Sequence, residues 1–405
     1  MGSSGPADDD LVVLDKESAT GQFVRTAVCL SSITLKPLKI GNIRQNASIQ
    51  LTGTNKPGMT AELVAIVNWL ADQTGAEVVG NVIESSTLEF WPKFRPSSKQ
   101  ITRREIKIDP GSMLASSMLH FQTVLPFLLY IGSEDPDNDK PIELRLKGAT
   151  YSPGTPSFEY IDQVFLPALR DYFGVDIICQ LVKRGWDRMT RKCLQEGTVR
   201  FKIRPRKNGT TLSLRPNAKL CDDNDDEDLA GSVDNVLSSV DVTIVAPPVL
   251  HEPLQKYIQG DIEARFGNID IEFKLEESGH DDRVYVLLVG KSEHCRWGRD
   301  YLMTRSLKES TILALTKEIS GQVCKDLEDE VNSERAVDRF LEDQLVVYQC
   351  LAEGRTCFDS LTVGDSTNSD SSTTQLSKAA ALALLPNAQY NGKICIGASV
   401  RVGQL

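Results

Sequence analysis

The sequence predicts a mixed α/β or α+β protein, a main domain that carries a smaller inserted one. Three observations lead there. Segments with apolar residues at helical spacing alternate along the chain with short strand-like segments. With 40% hydrophobic and 25% charged residues the chain has the composition of a packed soluble core. Its 405 residues exceed one ordinary domain, and the stretch 206–300 changes character from what flanks it.

In order along the chain, MGSSGPADDD is small and acidic, so 1–12 reads as a flexible tail. QFVRTAVCLSSITLKPLKI, from Gln22 to Ile40, reads as a helix through Ile33, a turn at Lys36-Pro37 and the strand LKI. Met59 to Gln73 is a second amphipathic helix between Gly58 and Gly75. VVGNVIESSTLEFWP reads as paired strands about a Gly-Asn turn. A helix is expected over Gly111 to Ile131. Its apolar run contains His120, Gln122 and Pro126, which suits a buried core helix rather than a membrane span. The strand IELRLKGAT follows, then a helix from Tyr160 to Phe173 ended by Gly174. Within 206–300, RKNGTTLSLRP is loop-like and CDDNDDEDLAGSVDN is an acidic solvated run. VTIVAPPVL, IDIEFKLEES and RVYVLLVG are strand-like. The main domain, 13–205, resumes over 301–405 with helices at Leu307 to Glu330 and Val337 to Ala352. STNSDSSTT is a polar loop opening onto QLSKAAALALL, a helix capped by a hydroxyl. Gln122, Gln163 and Gln344 each precede an apolar helical stretch, a short echo that repeated helix-and-sheet units would produce, with chance as the alternative.

Charge and thiols narrow the function. Lys+Arg 45 against Asp+Glu 56 gives a net charge of −11, the wrong sign for coating nucleic acid through bulk charge. Any RNA contact is therefore a local patch. Between Lys183 and Lys207 ten Lys/Arg face only Asp187 and Glu196, a local excess of +8. Lys183, Arg184, Arg188, Arg191 and Lys192 open that run, and Trp186 and Phe201 lie inside it, as in RNA-binding surfaces. The alternative is a solvated face balanced by the acidic loop at 222–228. The 9 cysteines include no C-x-x-C pair, which suits reduced nuclear or cytosolic thiols rather than a disulfide framework or zinc site. None of His120, His251, His280 and His294 is three to five residues from another, so no helical metal pair is spelled out.

GQFVRTAVCLSSITLKPLKIGNIR, DPGSMLASSMLHFQTVLP, LRLKGATYSPGTPSFEYIDQVFLPAL and VDRFLEDQLVVYQCLAEG together resemble the RNA 3'-terminal phosphate cyclase family, from about Glu17 to Ala352. The resemblance implies repeated units of helices on a four-stranded sheet with a small α/β domain inserted. It also implies a reaction that uses ATP and a divalent metal to turn an RNA 3'-phosphate into a 2',3'-cyclic phosphate. A histidine is adenylated, AMP passes to the RNA phosphate, and the vicinal 2'-hydroxyl expels it. Carried over by position, Gln22 and Arg25 match the family's G-Q-x-x-R, and Arg44 matches the first arginine of I-R-x-x-R. The two arginines would bind phosphate oxygens. Glu17 stands near a family acidic residue, displaced by one position, and Gln122 matches a family glutamine. Phe340, Asp343 and Gln344 fall on an aromatic-x-x-D-Q pattern whose ring lies near the adenine. Their spacing also describes one amphipathic helix turn.

The departures carry more weight. The adenylated histidine of the family opens a stretch just before its last helix, and here SSTTQLSKAAALALLP places Thr373 there, with Ser372 next to it. No histidine follows His294, so no shift of alignment restores one. A threonine hydroxyl is no nucleophile at neutral pH without a strong base beside it. The second arginine of I-R-x-x-R is Ala47, and the histidine of the family's Q-H-L is Glu62, which turns a phosphate site toward like-charge repulsion. The glycine signature that follows Arg184-Gly185 is broken, with Gly197 and Val199 left of its second half. The expectation is a cyclase-like protein of RNA processing that binds RNA 3' ends or pre-ribosomal RNA, with ribosome-assembly proteins as partners, nucleotidyl transfer lost and no metal ligand assigned. The alternative is an active ATP-dependent cyclase with a relocated nucleophile. Nucleus or cytosol is the expected compartment, with no membrane contact.

Overall fold

In a computed structural model of the chain, residues 11–46, 56–97, 104–112, 115–132, 141–187, 194–214, 236–293, 295–305, 311–333, 335–356, 358, 372–391 and 394–402 are described. Most of the expected tail (1–10), the acidic run at 222–228 and Ala47 lie outside them. Val12, assigned to that tail, instead opens the first strand.

The first unit comprises β1 (Val12–Leu14), α1 (Gly21–Thr34), β2 (Leu38–Ile40), α2 (Ala61–Thr74), β3 (Glu77–Val79) and β4 (Leu88–Trp91). Its sheet order is β1-β2-β4-β3, with β1 parallel to β2 and the rest antiparallel. The expected Gly-Asn turn is instead a loop over 80–87 between β3 and β4. The second unit repeats the first: β5 (Glu105–Ile108), α3 (Ser117–Tyr130), β6 (Ile142–Gly148), then α4 (Phe158–Tyr160), a π-helical turn (Ile161–Phe165) and α5 (Leu166–Phe173) as its second helix, then β7 (Ile177–Lys183) and β8 (Gly197–Ile203). The order β5-β6-β8-β7 and its strand directions match those of the first sheet. Alternation explains the one-sided burial of these sheets: Ile142, Leu144 and Leu146 face the core while Glu143, Arg145 and Lys147 face outward.

The inserted unit is β9 (Ser239–Ala246), α6 (Pro248–Phe266), β10 (Asp270–Glu277), β11 (Tyr285–Lys291), β12 (Arg296–Leu302) and α7 (Ile312–Val331). The order β10-β9-β11-β12 differs from the two repeats. Here the structure corrects the sequence boundaries. The insert's own core runs from Leu237 to Ala336 and includes α7, whereas Leu212 belongs to the main core. The domain limit at 300 thus falls inside β12, and the helix expected to resume the main domain packs on α6 instead. Val245, Tyr285, Leu287 and Val289, on the other face of the insert's sheet, join the main core. The sheet is therefore a shared layer.

The last unit has α8 (Arg339–Leu351), β13 (Arg355–Thr356), α9 (Ser372–Leu384), β14 (Gln389–Asn391) and β15 (Ile394–Ile396), ordered β13-β15-β14. It reproduces the second, fourth and third strands of the repeat. The first helices of the three units, α1, α3 and α8, meet in the interior, where α3 touches both α1 and α8 and α9 lies against α1 and α8. The helix α3, expected to be core, buries nearly every residue, and no described helix is long and apolar enough to cross a membrane.

Gly185 and Gly197 survive from the broken signature for a reason of packing. A Cβ on Gly185 would stand 2.3 Å from the Gly148 carbonyl oxygen and 2.6 Å from the Gly197 amide nitrogen. Three strand ends meet there, and no side chain fits between them.

Candidate functional site

A cavity of about 360 Å³ opens where the three units and the insert converge. Each repeat's first helix sends one glutamine into its wall: Gln22 from α1, Gln122 from α3 and Gln344 from α8. Gln163, the remaining member of the sequence echo, lies on the π-helical turn and pairs instead with Thr243 of the insert, at 3.1 Å. Gln122 Nε2 donates to Gln344 Oε1 at 2.5 Å, which ties the second unit to the last. Arg25, Asp343 and Phe340 line the same cavity. Six of the eight residues carried over for the nucleotide site thus come together. Glu17 is exposed in the bend after β1 and is not among the cavity's described lining residues.

Asp338 sets the position of α8. It is fully buried, caps the helix by accepting from Phe340 N and Leu341 N at 3.0 Å, and also accepts from Tyr160 Oη at 2.8 Å and Gly298 N at 2.9 Å. One carboxylate thereby joins the second unit, the insert and the last unit. From the helix it caps, the Phe340 ring stands 53% exposed at the cavity rim, with the Arg299 guanidinium 4.7 Å and that of Arg339 5.4 Å from its centre. An aromatic face at the rim and amides in the wall suit a ring with polar edges.

The carboxylates of this cavity titrate unusually. Burial raises Asp343 to about 6, against the pull of Ser377, Gln22, Arg25 and Lys378. Burial also raises Asp300 to about 6, with Tyr285 Oη donating to it at 3.0 Å. Asp300, Tyr285 and Ser157, whose hydroxyl is 2.5 Å from Tyr285 Oη, line the cavity and escaped sequence reasoning. Nothing local marks RWGRDYL or RVYVLLVG as site segments; only the docking of the insert brings them here.

Arg25 and Arg44 form a second corner. Burial lowers the Arg25 pKa to about 10, with Glu62 and Asp343 opposing the fall and Arg44 adding to it. Arg44 donates to the Lys56 and Gly58 carbonyls at 3.2 and 3.1 Å. Its φ of 49° is left-handed, a cost of ~1 kcal/mol for a side chain with a Cβ. Arg44 does not line the cavity, but both arginines interact electrostatically with Glu62. His120 lies behind this corner, its Nδ1 3.1 Å from the Ser116 carbonyl oxygen and its Nε2 without a hydrogen-bond partner. Burial lowers its pKa to about 4, so the ring is neutral.

Thr373 lies in the first turn of α9, one turn before the Ser377 that interacts with Asp343. Among the described residues no group of three or more His, Cys, Asp or Glu is placed to hold a metal ion.

The basic patch is altered by what the structure describes. Lys183 is exposed at the end of β7. Arg184 is withdrawn from the patch: its guanidinium pairs with Glu159 and Glu276 and lies over the Tyr151 ring, with 15% of the side chain exposed. A cation so paired has little left for a phosphate. Arg188, Arg191 and Lys192 lie outside the described residues.

The family described as RNA 3'-terminal phosphate cyclase matches the chain over residues 17–381. The chain is 27% identical over 348 residues to an RNA 3'-terminal phosphate cyclase from Drosophila melanogaster, covering 83% of this chain and 81% of the relative. It is 26% identical over 340 residues to one from Ignicoccus hospitalis, covering 83% of both chains. A shorter match to one from Desulfurococcus amylolyticus reaches 33% over 165 residues, or 41% of this chain and 40% of the relative.

Proposed function

Because the chain belongs to the RNA 3'-terminal phosphate cyclase family, we propose that it is a cyclase-like protein of RNA processing that binds RNA and has lost nucleotidyl transfer. The observation that carries this reading is the missing imidazole. The turn that opens α9 reads Ser372-Thr373-Thr374, and no histidine follows His294. Without a base beside it, a threonine hydroxyl does not attack the α-phosphate of ATP at neutral pH. Among the cavity's described lining residues there is no histidine to take its place.

ATP remains the nucleotide that family membership supports, and the Phe340 rim with the three glutamines suits a purine ring. A divalent metal would come with that nucleotide. RNA 3' ends or pre-ribosomal RNA are the proposed ligands, ribosome-assembly proteins the proposed partners, and the nucleus or cytosol the proposed compartment.

Incubation with ATP labelled at the α-phosphate, with a divalent metal, is expected to leave no covalent label on the protein. Label that disappears on Thr373→Ala would overturn this and establish an active cyclase with a relocated nucleophile. That second reading draws on the six carried-over residues that still share one cavity. RNA binding is tested apart from catalysis. Replacing Lys183, Arg188, Arg191 and Lys192 by Glu is expected to weaken RNA affinity and flatten its salt dependence; unchanged binding removes the patch from the proposal.

A further inference from the structure

Glu62 stands where three sources of positive potential meet. It occupies the first turn of α2, whose N-terminus is capped by Thr60, so it lies at the positive end of that helix. Its carboxylate accepts the backbone N–H of Ser116, the residue that caps α3, so a second helix N-terminus points at it. Arg25 and Arg44 supply two guanidinium charges, and each interacts with Glu62. Arg25 Nη1 lies over Gly21, where an added Cβ would be 3.4 Å from it and 3.9 Å from Leu63, the residue after Glu62. Two converging helix ends with two arginines are the setting in which proteins hold phosphate. Here that setting already contains an anion: the Ser116 N–H and the two arginines hold the carboxylate, while burial and the nearby Asp187 oppose its charge.

We propose that Glu62 is an internal stand-in for phosphate: it fills the anion subsite beside the cavity, so the wild-type protein takes the base or ribose of a ligand and excludes a phosphate group from this corner. The inference rests on the binding-protein reading and deepens it. The family resemblance assigns a histidine to this position, a side chain that carries no negative charge. Replacing it with a carboxylate reverses what the two arginines can attract, although both arginines remain. A phosphate entering the corner would have to displace Glu62 from Ser116 N–H and share the guanidinium charges with it at close range, where like charges repel strongly.

The test is calorimetric titration of inorganic pyrophosphate into the full chain, comparing wild type with Glu62→Gln and Glu62→Asp. Gln keeps an oxygen for the Ser116 N–H and removes the charge; Asp keeps the charge. The expected result is at least tenfold tighter pyrophosphate binding by E62Q than by wild type, no gain in E62D, and loss of the gain in E62Q combined with Arg25→Gln. Far-ultraviolet circular dichroism confirms that each variant is folded before titration. Equal binding by wild type and E62Q overturns the inference, as does a gain in E62D as large as in E62Q. The outcome separates from the labelling experiment. Tight pyrophosphate binding by an unlabelled wild type sinks the role of Glu62 and leaves the loss of transfer standing. Covalent label on a wild type that gains pyrophosphate only through E62Q does the reverse.

Discussion

The glutamine-lined cavity and the arginine corner beside it share helix α1, yet they meet their polar requirements in opposite ways. The cavity wall offers amides from three repeats, with Gln122 satisfied by Gln344 and an aromatic rim above. The corner carries full charges, and its arginines face a carboxylate from within the chain. Burial and the nearby Asp187 raise the pKa of that Glu62 carboxylate, while Ser116 N–H, Arg25 and Arg44 favour its ionised form. A neutral wall without a ligand costs little, because unpaired amides facing solvent find water. Buried guanidinium groups without an anion do not. The difference teaches that an empty charged site needs its charge balanced where a neutral one does not, and that a carboxylate on a neighbouring helix can balance it.

Four measurements sharpen or break this contrast. Asp338→Ala should be the most damaging, because it strips Tyr160, Gly298 and the α8 cap of one shared acceptor. A loss of ~3–5 kcal/mol in chemical denaturation is expected, and a loss under ~1 kcal/mol would mean that α8 is held by packing alone. Next comes Asp343→Asn. The folded Asp343 pKa of about 6 lies above its ordinary 3.8, so its favourable contribution is complete at low pH and is lost as pH rises through about 6. Wild type should therefore lose ~2–3 kcal/mol relative to the Asn variant between about pH 4 and pH 7. Parallel stability curves for the two proteins would show that the carboxylate is solvated. A double-mutant cycle of Gln122→Leu and Gln344→Leu should return a coupling of ~0.5–1.5 kcal/mol, whereas additive effects would separate the two units at the wall. Phe340→Ala should shift stability by no more than ~0.5 kcal/mol because the ring is half exposed. Its effect belongs in nucleotide affinity, read by titration with ATP, and an unchanged affinity would remove the ring from the site.

Much of the main domain was legible in the sequence. The segments around α1, α2, α5 and α8 carry helical apolar spacing with end signals, and Gly174 closes α5 in the left-handed conformation that a C-terminal glycine supplies. The insert was harder. The whole of VTIVAPPVL reads as strand-like, whereas Pro248 is the first residue of α6, where a missing N–H costs nothing. The stripe Leu250, Leu254, Ile258, Ile262 was there to be counted. The limits of the insert were not, because membership of α7 in its core is decided by which surface α7 covers and not by its own residues. In the site, the sequence held Gln22, Arg25, Gln122, Phe340, Asp343 and Gln344 because they lie on periodic helices that also carry family patterns. Asp300, Tyr285 and Ser157 gave no signal, since docking between units creates their proximity. Arg184 misled for the converse reason: a sequence count of cations does not show that Glu159 and Glu276 neutralise one of them.

The trio Gly148, Gly185 and Gly197 bears on how such chains are sorted into working and retired enzymes. Backbone crowding at that junction forbids any larger residue, whatever happens at the catalytic end of the molecule. Glycines of this kind are kept by sterics whether or not the protein turns over a substrate, so their presence testifies to the scaffold and not to activity. The residues with something to say about chemistry are those, like Thr373, whose identity the packing of the scaffold does not dictate.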